Sequence, residues 1–303
     1  MLSHNIQVGK IYKCQICHSS DLYDILDLGK HAPCDSLVKH DDLSKVEDKF
    51  PLKFQFCKNC FNVQIDYVVD PKLLFFEDYP YRSGITKTLV DKLDKTSQSV
   101  VDKFKFEQNS LCVDVGSNDG TLLQGFKKRG FKVLGIEATN IAELAIKNGI
   151  ETIKCFFDKK VAMSIKDKFG PAKVITATNV FAHIPNLQSF IEGIDILLDD
   201  NGVFVNESHY LVDILQKNQF DSIYHEHLRY YSVHSLERLF SYYDLYISDV
   251  ERIKNYGGSI RVFAQKKNTS SKKLEKMKSL EIKEKVHLIS TYEKFASKIL
   301  HLK

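Results

Sequence analysis

The sequence predicts an α/β protein in which a doubly wound, mostly parallel sheet follows a small cysteine-rich domain and precedes a Lys-rich helix. Three observations predict this fold: two CxxC pairs before residue 61, alternating strand and helix patterns from residue 111, and an amphipathic, Lys-rich pattern after residue 265. Alternating strands and helices are typical of a sheet that helices cover on both faces. We therefore divide the chain into domains at residues 1–70, 71–265 and 266–303.

The composition is that of an ordinary globular protein. The chain has 303 residues, of which 43% are hydrophobic and 27% charged, enough for two or three domains. No apolar run approaches the roughly 20 residues that a membrane helix needs. The first ten residues are polar and lack the apolar stretch of a signal peptide. We therefore expect a cytoplasmic protein with no membrane partner.

The positive charge is concentrated in the C-terminal segment. Residues 266–303 hold eleven Lys against four Glu, whereas the whole chain has a formal net charge of only +4. The rest of the chain is therefore slightly acidic, and it lacks the basic, aromatic-rich strands of a nucleic-acid-binding surface. We predict no nucleic-acid partner, and we interpret the lysines as the solvated face of a helix.

The two CxxC pairs predict a metal site in the N-terminal domain. The pairs are Cys14-Gln15-Ile16-Cys17 and Cys57-Lys58-Asn59-Cys60. Two residues between cysteines let both thiolates of a tight turn reach one ion, and two such turns supply the four sulfurs of tetrahedral zinc. Four thiolates leave no open coordination position, so the predicted zinc is structural.

The cysteine pattern has two alternative interpretations. The segment Cys14–His18 also fits a c-type haem attachment signal, which requires export, and a thioredoxin-like redox site needs one CxxC pair at the start of a helix. Between the two pairs, the stretches Leu22–Leu28 and Leu52–Phe56 are predicted strands. They allow the segment between the pairs to fold as a subdomain around the metal.

From residue 111 the chain alternates between strands and helices. The predicted strands are Leu111–Val115, Lys132–Ile136, Glu151–Cys155, Lys173–Ala177 and Gly202–Asn206. The predicted helices are Thr121–Lys128, Ala142–Asn148, Lys159–Lys168 and Leu187–Leu198. This order predicts parallel strands joined by right-handed crossovers.

A glycine-containing loop follows the first strand of this sheet. The segment is VDVGSNDG, in which Gly116 and Gly120 let the backbone approach a ligand at the carboxyl edge of the sheet. The second strand ends in Glu137, which is placed to accept both hydroxyls of a ribose. The loop is neither G-x-G-x-x-G nor a P-loop, so the pattern favours an adenosine-containing ligand other than a dinucleotide or a triphosphate.

These segments resemble class I S-adenosylmethionine-dependent methyltransferases. The resemblance lies in VDVGSNDGTLL, GIEATNIAELA and NVFAHIPNL. With the four-cysteine module, the YHEHLRYYS segment and the GGSIRV segment, the chain more narrowly resembles the C-methyltransferases of deoxysugar biosynthesis, from about Cys14 to Phe263. The resemblance implies S-adenosylmethionine as the methyl donor and a nucleotide-linked keto-deoxysugar as the small-molecule substrate.

The same resemblance assigns the cofactor-binding residues. Asp114, Gly116, Ser117, Asn118 and Gly120 form the set at the first strand, and the last four are expected against the methionine part of the cofactor. Glu137 is expected to hold the ribose, and Asn179 is expected near the sulfonium. The residue after Glu137 is Ala138, where relatives tend to have Pro, a departure that should only soften the turn.

Four residues are candidates for the chemistry. The segment Tyr224-His225-Glu226-His227 concentrates acid–base groups, and a histidine has a pKa suited to removing a proton from a carbon beside a ketone. By the resemblance, His227 is the base. We expect Glu226 to orient His227 or to tune its charge, Tyr224 to hydrogen-bond the keto or a hydroxyl oxygen, and His183 to be a second acid–base group. A half metal site and a solvated loop were the alternatives for this segment.

A Tyr-rich stretch between the two domains is the predicted substrate-binding segment. In the resembling family a similar stretch closes over the substrate. Here it contains Tyr79, Tyr81 and Arg82, and an arginine pairs well with phosphate. Either tyrosine is expected to contact the sugar or the phosphate, and the sequence does not rank them.

The C-terminal part completes the sheet and adds a helix. A helix at Ser235–Tyr243 precedes two strands, Leu245–Ile253 and Ser259–Ala264, with Gly257-Gly258 between them. From Ser270, apolar residues recur at helical spacing in one long amphipathic helix. The resemblance implies a further α/β domain after this helix, which the 303 residues do not contain. We expect the apolar stripe of the helix to be exposed and to contact a second copy of the chain.

The sequence leaves two alternatives to C-methylation. The first is methyl transfer to oxygen or nitrogen of another small molecule, which would use the same cofactor site. The second is a non-catalytic zinc- and cofactor-binding protein of an assembly. A zinc-ribbon nucleic-acid binder is disfavoured by the charge distribution.

Overall fold

A computed structural model describes residues 8–76 and 79–301 of the chain, without the side chain of Asp42. The strands are β1 (Gly9–Lys10), β2 (Leu22–His31), β3 (Phe50–Cys57), β4 (Val63–Ile65), β5 (Tyr67–Val68), β6 (Leu111–Val115), β7 (Lys132–Ile136), β8 (Thr152–Ile153), β9 (Ala172–Thr178), β10 (Leu198–His209), β11 (Arg229–Tyr230), β12 (Tyr246–Ile253) and β13 (Ser259–Gln265). The α-helices are α1 (Pro71–Leu74), α2 (Lys87–Phe104), α3 (Thr121–Lys128), α4 (Ala142–Lys147), α5 (Lys159–Phe169), α6 (Leu187–Leu197), α7 (Leu211–Lys217), α8 (Val233–Phe240), α9 (Lys272–Lys283) and α10 (Ile289–Leu300).

The large sheet has seven strands in the order β12-β13-β10-β9-β6-β7-β8. The strands β8, β7, β6, β9 and β10 pair in parallel, whereas β13 is antiparallel to both β10 and β12. All five residues of β6 are buried, as expected for a central strand that helices cover on both faces. The carboxyl ends of β6, β7, β9 and β10 therefore meet at one edge of the sheet, where ligands bind in such folds.

The N-terminal region forms a four-stranded antiparallel sheet in the order β11-β4-β3-β2, and a separate small pair of β1 with β5. The edge strand β11 comes from the middle of the YHEHLRYYS segment. Arg229 pairs with Gln64 and Tyr230 with Val63. The segment that contains the candidate base is thus anchored by backbone pairing to the cysteine-rich region.

The predicted elements of the sheet region are confirmed, and the bounds of β6, α3 and β7 agree with the prediction. The predicted C-terminal helix is wrong in one respect, because it is two helices, α9 and α10. Lys285 between them adopts a left-handed φ of 57°, which ends the first helix. The break lets α9 pack against β12 and α10 against β2.

The expectation of an exposed apolar stripe on this segment is also wrong. Tyr292 and Phe295 of α10 are buried, with ring centroids 4.5 Å from Phe56 and 6.2 Å from Phe54, respectively. Leu274 of α9 is buried as well. Apart from Ile282, which is 51% exposed, the large apolar side chains of the stripe are at least partly covered within the chain, so the stripe offers no argument for a second copy.

Helix α9 also carries a fully buried carboxylate at the start of α8. The side chain of Glu281 is 0% exposed and accepts hydrogen bonds from the backbone N–H of Val233 at 2.6 Å and of His234 at 3.1 Å. The hydroxyl of Tyr210 donates to the same carboxylate at 3.0 Å. An anion at a helix N-terminus is favourable, so this contact joins the C-terminal helices to the segment that follows the candidate base.

No helix among the described residues is both long and apolar enough to cross a bilayer.

Candidate functional site

The four cysteines of the two CxxC pairs converge on one point. Their Sγ atoms all lie within 4.8 Å of one another, with Cys14 and Cys60 3.4 Å apart and Cys17 and Cys57 3.5 Å apart. Zn–S bonds of about 2.3 Å in a tetrahedron place the sulfurs roughly 3.8 Å apart. The donor set and its spacing therefore fit structural zinc.

The two CxxC turns have the same backbone design. The residue after each pair, His18 or Phe61, has a left-handed φ near 60° and donates its N–H to the carbonyl of the first cysteine, at 3.0 Å and 2.9 Å. Side-chain amides of Asn62 and Asn59 lie 3.7 Å and 3.4 Å from the Sγ atoms of Cys14 and Cys17. Donors around thiolates stabilise their charge, as at a metal centre.

The first CxxC turn is hydrogen-bonded directly to the segment of the candidate base. Gln15 accepts from the Arg229 guanidinium at 2.6 Å and donates to the Leu228 carbonyl at 3.2 Å. The same carbonyl accepts from Ile65 N at 3.1 Å, while Leu228 N donates to Ala182 O at 2.9 Å. The residue next to His227 is therefore fixed between the cysteine-rich sheet and the large sheet.

The glycine loop after β6 packs closely against Val180 of the chain itself. Gly116 has a φ of +70°, and a Cβ there would lie 2.3 Å from Val180 Cγ2. The N–H groups of Gly116 and Ser117 donate to the carbonyl of Ile136 at 2.8 Å and 3.0 Å. The loop is thereby tied to the end of β7, next to Glu137.

The carboxylate of Glu137 is buried and held by the same loop. It accepts from Asn118 N at 3.0 Å and from the backbone and hydroxyl of Thr139 at 2.9 Å and 2.8 Å. These contacts fix a carboxylate at the carboxyl edge of the sheet, the position expected for binding a ribose. Asp114 lies inside the sheet, where it accepts from the Thr176 hydroxyl at 2.6 Å and where burial raises its pKa to about 7.

Two buried polar atoms next to the loop have no partner in the described residues, Ser117 Oγ and Asn179 Oδ1. Buried polar atoms are rarely left unpaired, so these two atoms are available to hydrogen-bond a ligand or a water molecule. They follow β6 and β9, two adjacent strands, at the edge where Glu137 also lies. A cofactor with a polar tail and a ribose fits this set of groups.

The Tyr-rich stretch lies on the glycine loop. Ser83 N donates to Asn118 Oδ1 at 2.7 Å, and the amide of Asn118 donates to Tyr81 O at 3.0 Å. Gly84 N donates to the Asp119 carboxylate at 2.7 Å. Residues 81–84 therefore lie directly beside the predicted cofactor position.

The candidate base is fixed at both ring nitrogens. His227 Nδ1 lies 3.0 Å from the backbone carbonyl of Ser222, which only accepts, so Nδ1 carries the proton. Nε2 then carries the lone pair, which accepts a hydrogen bond from the hydroxyl of Tyr224 at 2.9 Å. The expected orienting contact from Glu226 is wrong, because the Ser222 carbonyl makes that contact instead.

Glu226 faces a different set of groups. It accepts from the hydroxyl of Tyr79 at 2.9 Å, and its carboxylate lies 3.7 Å from His183 Nδ1. Burial raises the pKa of Glu226 to about 7. The structure thus groups Tyr79 with Glu226, whereas Tyr81 is 44% exposed with its hydroxyl 3.0 Å from that of Tyr256, and Arg82 is exposed.

Three histidines surround one small cavity at the carboxyl ends of β9 and β10. The ring centroids of His183 and His209 lie 5.0 Å and 4.9 Å from that of His227. Burial lowers the pKa of His183 to about 3 and that of His227 well below its usual range. All three rings line the cavity together with Asn179, so a neutral imidazole base faces a position near the predicted cofactor.

His209 is a residue that the sequence analysis missed. The strand was predicted to end at Asn206, but β10 continues through His209. A longer strand would have placed this histidine at the carboxyl edge, where ligands bind, so the signal lay in the strand boundary.

Comparison with known proteins identifies the family of the chain. Residues 14–75 match the family described as "Putative zinc binding domain", and residues 81–250 match the family described as "Methyltransferase domain". Over 258 residues the chain is 33% identical to the C-methyltransferase NovU of Streptomyces niveus. That alignment covers 85% of this chain and 61% of the relative, so the chain spans less than two thirds of the relative's length.

Two solved structures resemble parts of this chain at low sequence identity. The PH0226 protein of Pyrococcus horikoshii has a TM-score of 0.48 at 14% identity, covering 63% of this chain and 98% of that chain. Magnesium protoporphyrin IX methyltransferase of Synechocystis, with bound SAH, has a TM-score of 0.46 at 11% identity, covering 61% and 89%.

The strand order with an antiparallel β13, the glycine loop and the acidic end of β7 define a class I methyltransferase fold. The chain belongs to the methyltransferase domain family and carries an N-terminal zinc-binding domain. Its cofactors are therefore S-adenosylmethionine and structural zinc.

Proposed function

We propose that the chain methylates a carbon next to the ketone of a nucleotide-linked keto-deoxysugar, with His227 as the base. The observation that carries this proposal is the fixed tautomer of His227. Its protonated Nδ1 donates to the Ser222 carbonyl, and the lone pair of its Nε2 accepts from the Tyr224 hydroxyl until a substrate takes that place. A base held in one tautomer by a neighbouring acceptor is ready to remove a proton.

The proposed reaction balances with the groups of this site. His227 Nε2 takes the proton from the carbon beside the ketone, and the electron pair moves onto the ketone oxygen as an enolate. Bound S-adenosylmethionine supplies the methyl group, whose bond to sulfur breaks with its electron pair left on sulfur as the new C–C bond forms. Tyr224 donates its hydroxyl hydrogen bond to the substrate oxygen once Nε2 is protonated.

The remaining groups have supporting roles in the proposal. Tyr79 and Glu226 share a hydrogen bond of 2.9 Å and border the site on the side of the zinc-binding domain. Exposed Arg82, beside the cofactor loop, is suited to the phosphate of a nucleotide-linked substrate. The proposed domains are residues 1–70, 71–265 and 266–303, and a reducing compartment such as the cytoplasm would keep the four thiolates free for zinc.

The proposal is tested by separating proton removal from methyl transfer. We would measure deuterium exchange at the reacting carbon, and transfer of a labelled methyl group, with a nucleoside diphosphate 4-keto-6-deoxyhexose as the acceptor. His227→Asn should lose exchange and transfer by about 10²–10⁴-fold, the usual contribution of a general base. Binding of S-adenosylhomocysteine should stay within about twofold of wild type.

His225→Asn is the matched control because it changes the same kind of residue two positions away. The ring of His225 faces the carbonyls of Phe50 and Pro51, each at 3.2 Å, and not the cavity. It should keep most of the activity. Exchange at the wild-type rate in His227→Asn would remove His227 as the base. A labelled methyl group found on oxygen or nitrogen would replace C-methylation with the other type of transfer.

A further inference from the structure

Three residues that line the cavity of His227 each have a buried polar atom without a hydrogen bond. Within the described part of the chain, Asn179 Oδ1, His183 Nδ1 and His209 Nδ1 are buried and make no hydrogen bond. The side chains of all three residues line the same cavity. Unpaired buried polar atoms are few in folded proteins, so these three atoms are available to the oxygen or nitrogen atoms of a ligand that enters and widens this small cavity.

His209 differs from the other two because no predicted role accounts for it. It lies at the last position of β10, paired with Ser259 of β13, and its ring meets that of His227 at an interplanar angle of 73°. Burial lowers the pKa of His209, so the ring is neutral at neutral pH and has one N–H and one lone pair. A neutral imidazole in this position can donate to, or accept from, a sugar hydroxyl.

The geometry does not favour His209 as a second base. A catalytic base is normally oriented by a third group, as the Ser222 carbonyl orients His227. Among the described residues nothing holds Nδ1 of His209. Its ring contacts the rings of His227 and Tyr256, the latter with centroids 6.2 Å apart. The ring is thus placed by packing, while its buried nitrogen is left for a ligand.

We infer that His209 is a substrate-binding residue that hydrogen-bonds an oxygen atom of the acceptor next to the carbon that His227 deprotonates. The ligand class is a small ketone with further hydroxyl groups, and His209 selects for the hydroxyl or keto oxygen on the β10 side of the cavity. This inference rests on the proposed function, which supplies the acceptor.

The inference predicts opposite effects on stability and on binding. His209→Leu replaces the imidazole with an apolar side chain of similar length and so removes the unpartnered nitrogen. The melting temperature of the free protein should therefore stay the same or rise by about 2 °C. The same change should weaken binding of the acceptor about five- to tenfold. His209→Asn places a side-chain amide near the position of Nδ1, so its affinity for the acceptor should stay within about threefold of the wild-type value.

His287→Leu is a matched control elsewhere in the chain. His287 is also half-buried with an unpartnered Nδ1, and its ring lies 6.1 Å from that of Phe61 in the zinc-binding domain. Replacing it makes the same chemical change outside the cavity. It should leave acceptor binding unchanged.

The experiment is isothermal titration of the full 303-residue chain in two steps. S-adenosylhomocysteine is titrated first, and a nucleoside diphosphate 4-keto-6-deoxyhexose is then titrated into the complex, with wild type and each variant. The expected result is unchanged affinity for S-adenosylhomocysteine in every variant and a weaker acceptor affinity in His209→Leu alone. His209→Phe, which keeps an aromatic ring, repeats the test if the leucine variant does not fold.

Two results would overturn the inference, and they are distinguishable. Equal acceptor affinity in wild type and in His209→Leu would remove His209 from the substrate site while leaving the proposed function intact. Failure of the wild-type complex to bind this acceptor, with S-adenosylhomocysteine bound normally, would overturn the proposed substrate class and the inference together.

Discussion

The cysteine cluster and the histidine cavity are built by opposite rules. The four cysteines lie in two short turns, and their donors Asn59 and Asn62 come from the second turn or the residues just after it. The histidines come from the 3₁₀ turn at residues 181–183, from the end of β10 and from the segment before β11. The first site is closed and consists of two turns that are each recognisable in a few consecutive residues. The second site is assembled from single residues in distant parts of the chain.

The two sites also differ in what they leave unsatisfied. The sulfur atoms face one another at the spacing of a metal ion, so zinc completes the site without an open position. The histidine cavity retains buried atoms without partners and rings whose pKa burial lowers. A structural site is satisfied by its ion, whereas unpaired groups with shifted pKa values are typical of a functional site, as we propose for the histidine cavity.

The largest effect is expected from removing zinc ligands. Cys57→Ser combined with Cys60→Ser should abolish zinc binding, whose apparent free energy in small domains is about 10–16 kcal/mol. Because β11 pairs with β4, we expect unfolding of the zinc-binding domain and loss of methyl transfer together. Elemental analysis measures the zinc content, and thermal unfolding measures the loss of the folded domain. Cys155→Ser, a half-buried thiol outside the cluster, is the control; full activity without zinc would break the proposed link between the sites.

A second effect should appear at the contact that joins the sites. Arg229 is 1% exposed and donates to Gln15 Oε1 and to the hydroxyl of Tyr231 at 2.9 Å. Arg229→Met leaves these acceptors unpaired and should lower the free energy of unfolding by about 3 kcal/mol. Chemical denaturation of Arg229→Met, Gln15→Leu and the double variant gives their coupling energy. Additive effects would show that the two regions are not coupled through this contact, and Arg82→Met, at an exposed arginine, serves as the control.

The glycine loop should give a smaller loss of stability and a clear loss of cofactor binding. Gly116→Ala places a methyl group 2.3 Å from Val180 at a φ of +70°, so we expect a cost of about 2 kcal/mol and weaker binding of S-adenosylhomocysteine. Gly29→Ala is the control, since Gly29 has a φ of +86° but no atom within 4 Å of the added Cβ. Denaturation and titration measure both effects. Equal losses in the two variants would mean that backbone strain alone, and not the close approach, matters.

The smallest effect is a dependence of stability on pH. Burial raises the pKa of Glu226 to about 7, so the folded state keeps this proton to a higher pH than the unfolded state does. The stability from the protonated carboxyl is present below about pH 4.3 and is lost as pH rises towards 7. Glu226→Gln should therefore gain about 1 kcal/mol relative to wild type between pH 5 and pH 8.

Unfolding by denaturant at several pH values measures this difference between the two proteins. Taking the difference between the two proteins removes the contribution of the histidines to the pH dependence of stability. That contribution has the opposite sign, because burial lowers the pKa of the histidines and the stability from their neutral form is lost as pH falls below about 6.5. The groups that face Glu226 are Tyr79, Cys34 and His183, whose Nδ1 lies 3.7 Å from the carboxylate, and Asp35 lies beside them on the Tyr79 hydroxyl; the variant changes none of these residues. A pH-independent difference would show that Glu226 is already ionised in the folded protein.

The amino-acid sequence alone determines the features that depend on near neighbours. The two CxxC turns, the strands β6 and β7, the glycine loop and Glu137 at the end of β7 were all predictable, because each is encoded by spacing or periodicity within a few residues. The resemblance then supplied the segment that contains His227.

Only the tertiary structure decided how these parts meet. In the structure His209 lies beside His227, and the Ser222 carbonyl, in place of Glu226, contacts Nδ1 of this candidate base. The C-terminal segment forms two helices that cover the zinc-binding sheet. These contacts join residues that are distant in the chain or depend on where a strand ends. No local pattern encodes them, because packing and the pairing of buried polar groups are settled only when the whole chain has folded.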